Sequence, residues 1–149
     1  MLSVFFIAFF YILNEVIIML IGYRTLASSF DSVLVPFNEV LEFETKELCN
    51  VDIYLTMRER YHLKIDLRWN RDKCNAVVRD FLKEKYKGLE LFCVWLCESP
   101  YNVKELYAHG DEEIIKVILP NNALLVSDLG YDGCLYIIHS GQTYSWTRI

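Results

Sequence analysis

Val51-Asp-Ile-Tyr-Leu-Thr-Met-Arg-Glu-Arg-Tyr-His-Leu-Lys-Ile-Asp-Leu-Arg-Trp69 is the stretch whose reading decides the fold. Val51, Ile53, Leu55 and Met57 alternate with Asp52, Tyr54 and Thr56. Beyond the polar Arg58-Glu59-Arg60, the set Tyr61, Leu63, Ile65, Leu67 and Trp69 alternates with His62, Lys64, Asp66 and Arg68. Side chains on a strand point to opposite faces with period two, so the pattern predicts an antiparallel hairpin with one dry and one wet face. The dry face needs a cover from the rest of the chain.

Downstream, the period changes. Between Asn70 and Lys87, Val77, Val78, Phe81, Leu82 and Tyr86 fall on one helical face, and Gly88 closes the segment. Leu89 to Cys97 is apolar on both sides, as a central or covered strand is. Ile114 to Leu119, Ala123 to Val126, Cys134 to His139 and Thr143 to Thr147 read as further strands, while Val103 to Tyr107 is ambiguous. Upstream, Val33 to Val35 and Val40 to Phe43 flank Pro36, which belongs at a strand end or sheet edge. Short strands with turns every 8 to 12 residues or so point to an antiparallel β-sandwich with one short amphipathic helix, spanning residues 32–149.

Before it, Leu2 to Gly22 is almost continuously apolar, with Asn14 and Glu15 the only strongly polar interruptions. About 20 such residues, at about 1.5 Å each, span a bilayer core as a helix. The reading is a membrane anchor over residues 2–22 and a linker over 23–31. A cleaved signal peptide (Thr25-Leu26-Ala27 before Ser28) and a buried core helix are the alternatives, although the basic n-region of a signal is missing. An intramembrane carboxylate is costly unless protonated or facing a partner helix, which makes Asn14 and Glu15 candidate intramembrane contacts. Arg24, by the positive-inside rule, would place the domain in the cytoplasm.

The net charge of -5, with basic residues scattered, argues against nucleic-acid binding. No phosphate loop, nucleophile elbow or paired-histidine helix is present, and His62, His109 and His139 have no local orienting partner. Five cysteines lack the spacing of a disulfide scaffold. On an extended strand Cys93 and Cys97 stand roughly 13 Å apart, too far to share a metal ion. The expectation is a non-enzymatic domain with no metal and no cofactor. Its contact surface would be the wet face of the hairpin: Tyr54, Arg58, Arg60, His62, Lys64, Asp66 and Arg68. Aromatic and arginine anchors of this kind make protein contacts. Other readings are an assembly subunit pairing through Glu15, or a ligand-binding sandwich with a pocket near Trp69 and Trp95.

The order of features resembles a bacterial domain family of unknown function, whose members are small envelope β-sandwiches behind an N-terminal signal or anchor. The likeness rests on Pro36-Phe-Asn-Glu-Val-Leu-Glu-Phe43, the alternating hairpin, and Ala76-Val-Val-Arg-Asp-Phe-Leu82 ahead of Leu89-Glu-Leu-Phe-Cys-Val-Trp-Leu96. Glu113-Ile-Ile-Lys-Val-Ile-Leu-Pro120 and Cys134-Leu-Tyr-Ile-Ile138 would be the last strands. Small anchored domains of this kind occur as immunity proteins beside secreted antibacterial toxins. The resemblance therefore implies an inner-membrane protein with its domain in the periplasm, and a toxin as partner.

Overall fold

A computed structural model describes residues 6–12, 15–26, 33–40, 49–61, 71–107 and 112–149. Over its described residues the apolar N-terminal run is strand and not the expected helix. Phe6–Ile12 forms β1 and Glu15–Leu26 forms β2, paired antiparallel from Ile12↔Glu15 to Phe6↔Ile21. The run is rich in aromatic and β-branched residues, which favour strands. A continuously apolar stretch has no periodicity to separate a buried strand from a buried helix. No helix of the described residues is long and apolar enough to cross a membrane. Glu15 opens β2, and Asn14 lies outside the described residues.

The organising hairpin is also overturned over the part described. Val51–Tyr61 is helix α1, and 62–70 lie outside the described residues. Four-residue spacings, such as Ile53 to Met57, suit a strand face and a helix face equally, so the alternation was ambiguous. Capping decides the matter. The Asn50 side-chain oxygen accepts the Ile53 N–H at 3.1 Å, its backbone oxygen accepts the Tyr54 N–H at 3.0 Å, and Asp52 sits in the first turn. The Asn50 amide also donates to the Leu125 carbonyl at 3.2 Å, tying the helix start to a strand. Asn50→Ala should lower stability by about 1–2 kcal/mol in urea unfolding. Asn50→Ser keeps a capping oxygen without the amide tie to Leu125 and should recover part of that loss; equal losses in both variants would deny the cap its role.

The remaining elements are β3 (Val35–Pro36), α2 (Arg71–Lys85), β4 (Leu91–Leu96), α3 (Pro100–Leu106), β5 (Glu113–Pro120), β6 (Leu124–Asp128), β7 (Cys134–His139) and β8 (Ser145–Arg148). They build two antiparallel four-stranded sheets, ordered β1-β2-β5-β8 and β3-β4-β7-β6. The fold is thus mainly β, as expected, but the described residues hold three α-helices rather than one. α2 and the strands β4, β5 and β7 fall where the sequence pattern set them.

Alternation along the strands separates two cores. Val94 and Leu96 of β4, Tyr136 and Ile138 of β7, and Ile115, Val117 and Leu119 of β5 are buried between the sheets. Leu91, Cys93, Leu135 and Ile137 face the other way and pack under Ile53 of α1 and Val77, Val78 and Leu82 of α2. The order of layers is sheet, sheet, helices, so β4 and β7 are apolar on both faces. α3 is capped by Ser99, whose Oγ accepts the Asn102 N–H at 3.2 Å, with Pro100 opening the helix. It packs against β2 and β5, apart from the other two helices.

Candidate binding cleft

The two sheets meet at one corner. The Tyr23 N–H donates to the Cys97 carbonyl at 2.8 Å, and the Cys97 N–H to the Tyr23 carbonyl at 2.8 Å. This bridge stitches the end of β2 to the chain just past β4. Beside it opens a cleft of about 230 Å³. Tyr23, Arg24 and Thr25 form one side, Trp95, Leu96 and Cys97 another. Tyr107, after α3, and Leu129 and Asp132, between β6 and β7, complete it.

That last wall is locked by local geometry. The Asp128 carboxylate accepts the Gly130 N–H at 2.8 Å, and the Leu129 N–H donates to the Gly133 carbonyl at 2.9 Å around a 3-10 turn at Gly130–Asp132. Gly133 has φ +111°, and a Cβ there would stand 2.9 Å from the Leu96 carbonyl oxygen. Only glycine lets the turn lie this close to β4. The Tyr107 hydroxyl donates to the Asp132 carbonyl at 2.7 Å, the Tyr131 hydroxyl to the Glu105 carboxylate at 2.6 Å and the Asn102 amide to the Tyr131 carbonyl at 3.5 Å, so α3 and the residue after it are tied to the same turn. The Glu105 bond pushes the Tyr131 phenol up to about 12, and holds the Glu105 carboxyl below its ordinary value.

Arg24 is the unusual lining residue. It shares the inward parity of Leu20 and Leu26 on β2 and stands opposite Ile115, which is fully buried. Its Nε donates to the Thr25 carbonyl at 3.0 Å and its Nη1 to the Val33 carbonyl. Burial lowers its pKa from the usual arginine value. Cys97 is a free, buried thiol, pushed up to about 11 by burial first and then by Asp132. A thiol so raised is almost wholly protonated near neutrality and is a poor nucleophile. Alkylation of Cys97 at pH 7.5 should therefore be far slower than that of a small-molecule thiol, and comparable rates by mass spectrometry would contradict the burial. Among the described residues no three His, Cys, Asp or Glu side chains are grouped to hold a metal ion. What this arrangement offers is recognition: aromatic walls, one cation and one carboxylate.

The surface expected from the sequence is only partly assembled. Tyr54 and Arg58 lie one turn apart on α1, with the guanidinium carbon 5.9 Å from the ring centroid. They share a stripe with Val51 and Leu55, 67% and 54% exposed. Arg60 belongs to α1 by its backbone, and His62, Lys64, Asp66 and Arg68 lie outside the described residues, as do His109 and Trp69. His139, on β7, stacks beside Tyr86 at 5.4 Å between ring centroids, and its Nδ1 accepts the Gly141 N–H at 3.0 Å. Of the cleft, sequence reasoning singled out Trp95 alone. The available signal for the rest was Arg24, a lone cation directly after an apolar run, and the loop Asp128-Leu-Gly-Tyr-Asp-Gly133.

No family model, no curated protein and no solved structure matches this chain. The likeness to envelope sandwiches rests on the order of sequence features, and α1 removes the first half of the hairpin from it.

Proposed function

We propose that this protein is a binding domain, and that the cleft at the joined corner of the two sheets is its ligand site. The observation that carries the reading is a small concavity with Tyr23, Trp95 and Tyr107 around it and Arg24 and Asp132 among its lining. Ligand sites are concave, mostly apolar, and furnished with a few polar groups that fix orientation. The locked turn at Gly130–Asp132 supports it further, because a wall held by hydrogen bonds needs little reorganisation on binding.

Trp95 supplies the test. Titration with a panel of small aromatic and aliphatic compounds should change the tryptophan emission of the native protein, and Trp95→Phe should abolish that change. A panel that leaves emission and melting temperature untouched would remove the cleft from consideration.

A second reading is recognition of a protein partner, the role of an immunity protein that neutralises a toxin. The exposed stripe Val51, Tyr54, Leu55 and Arg58 favours it, since aromatic and arginine side chains on an apolar ground are common interface anchors. Leu55→Asp combined with Arg58→Glu should abolish co-elution with that partner while leaving the melting temperature nearly unchanged. Intact co-elution would take α1 out of the interface.

A further inference from the structure

We infer that the cleft takes a monocarboxylate, seated against Arg24 and carrying an aromatic or apolar body. The inference rests on the cleft being the ligand site.

Arg24 carries it. A guanidinium has five N–H donors and no acceptor. Two donors are used, one on Nε to the Thr25 carbonyl and one on Nη1 to the Val33 carbonyl. Both acceptors are neutral. No carboxylate of the described residues stands within ion-pair distance of it, and burial alone accounts for its lowered pKa, with no compensating acid. An arginine on the inner face of a strand, opposite a fully buried isoleucine, is an expensive place for an unpaired charge. Such a cation is retained where something negative completes it. The planar fork of remaining donors matches the two oxygens of a carboxylate.

Asp132 narrows the class. It lines the same cleft, its side chain is exposed, and it makes no ion pair with Arg24. A second negative charge on the ligand would meet this carboxylate across a small space, so dianions such as phosphate esters are disfavoured. The apolar part of the ligand would lie among Tyr23, Trp95 and Tyr107, whose faces stack on flat apolar groups. A carboxylate on an aromatic body is found both on free small acids and at the end of a peptide chain, and the two sources need separate arms in the test.

The experiment is calorimetric titration of the full chain with phenylacetate, 3-phenylpropionate, their two primary amides, phenyl phosphate, and an acetylated tripeptide ending in phenylalanine. The expected result is binding of the acids at least ten-fold tighter than of their amides, with phenyl phosphate weaker than either acid. If the tripeptide binds more tightly than the free acids, the source is a chain end; if only the free acids bind, it is a small metabolite. Either result supports the carboxylate. Arg24→Gln should reduce acid binding at least ten-fold and leave amide binding unchanged; the acid-to-amide ratio in the native protein decides even if that variant fails to fold. Amides binding as tightly as acids would overturn the carboxylate while keeping the cleft as a ligand site. No binding by any compound, or acid binding that persists in Trp95→Phe with an unchanged fluorescence response, would overturn both.

Discussion

Replacing Gly133 with valine should lower the unfolding free energy by about 3 kcal/mol, which for a chain of this size is a fall of roughly 6 to 12 °C in melting temperature. Two effects add. The backbone at Gly133 has φ +111°, a conformation that β-branched residues scarcely enter. The new Cβ would also meet the Leu96 carbonyl oxygen at 2.9 Å and the Cys97 Sγ at 3.4 Å. Leu96 is paired with Cys134 and its side chain is buried between the sheets, so its carbonyl has little room to retreat. Gly130→Ala separates the two effects. Gly130 has φ +63° with nothing within 4 Å of an added Cβ, and should lose only about 1 kcal/mol. Thermal melts of the two variants decide it: equal midpoints would mean that the close approach to β4 contributes nothing.

Leu82→Ala should be as damaging, at about 3 kcal/mol within the 2–5 kcal/mol span of buried leucine truncations. Leu82 is fully buried where α2 meets the outer face of β4 and β7, among Val78, Leu91 and Leu135. The loss combines transferred apolar area with a cavity that two packed layers cannot close. In urea the midpoint should fall while the slope stays constant, since the surface exposed on unfolding is unchanged. Leu89→Ala, at a position 43% exposed, should change stability by less than about 0.5 kcal/mol. The folded fraction of Leu82→Ala should still bind at the cleft, which lies among other elements. A midpoint shift no larger than that of Leu89→Ala would mean that the helical layer is not held through Leu82.

Strands buried on both faces and bounded by turns were legible without coordinates. Leu91–Leu96 and Cys134–His139 sit between glycine or serine turns, and their lengths leave no room for a helix. α2 was legible because its apolar residues recur at helical spacing against a charged remainder. α1 was not, because alternation over seven residues fits two periods at once, and an asparagine caps a helix and ends a turn with equal ease. The N-terminal run is long enough to cross a bilayer and apolar on every face, so nothing local separates a spanning helix from a pair of buried strands. Its partner, β5, is remote in sequence, and nothing local announces that pairing. The cleft was illegible for the same reason. Arg24, Trp95, Tyr107 and Asp132 come from four separate segments, and only the bridge between Tyr23 and Cys97 and the tie from Tyr107 to the Asp132 carbonyl gather them.

The strand order has a consequence for how the protein is made. β1 and β2 are synthesised well before β5, their continuation in the sheet, so Leu26 has no cross-strand partner on that edge until Glu113 has left the ribosome. At roughly 5 to 20 residues per second, that interval lasts on the order of 5 to 20 s. Throughout it an apolar hairpin presents an unpaired edge, and β6 and β7 are still to come when β5 emerges. Nascent chains halted before β5 should accordingly be bound by chaperones that hold apolar segments and released once β5 emerges, which makes the span from Glu113 to Pro120 the step that commits the chain to its fold.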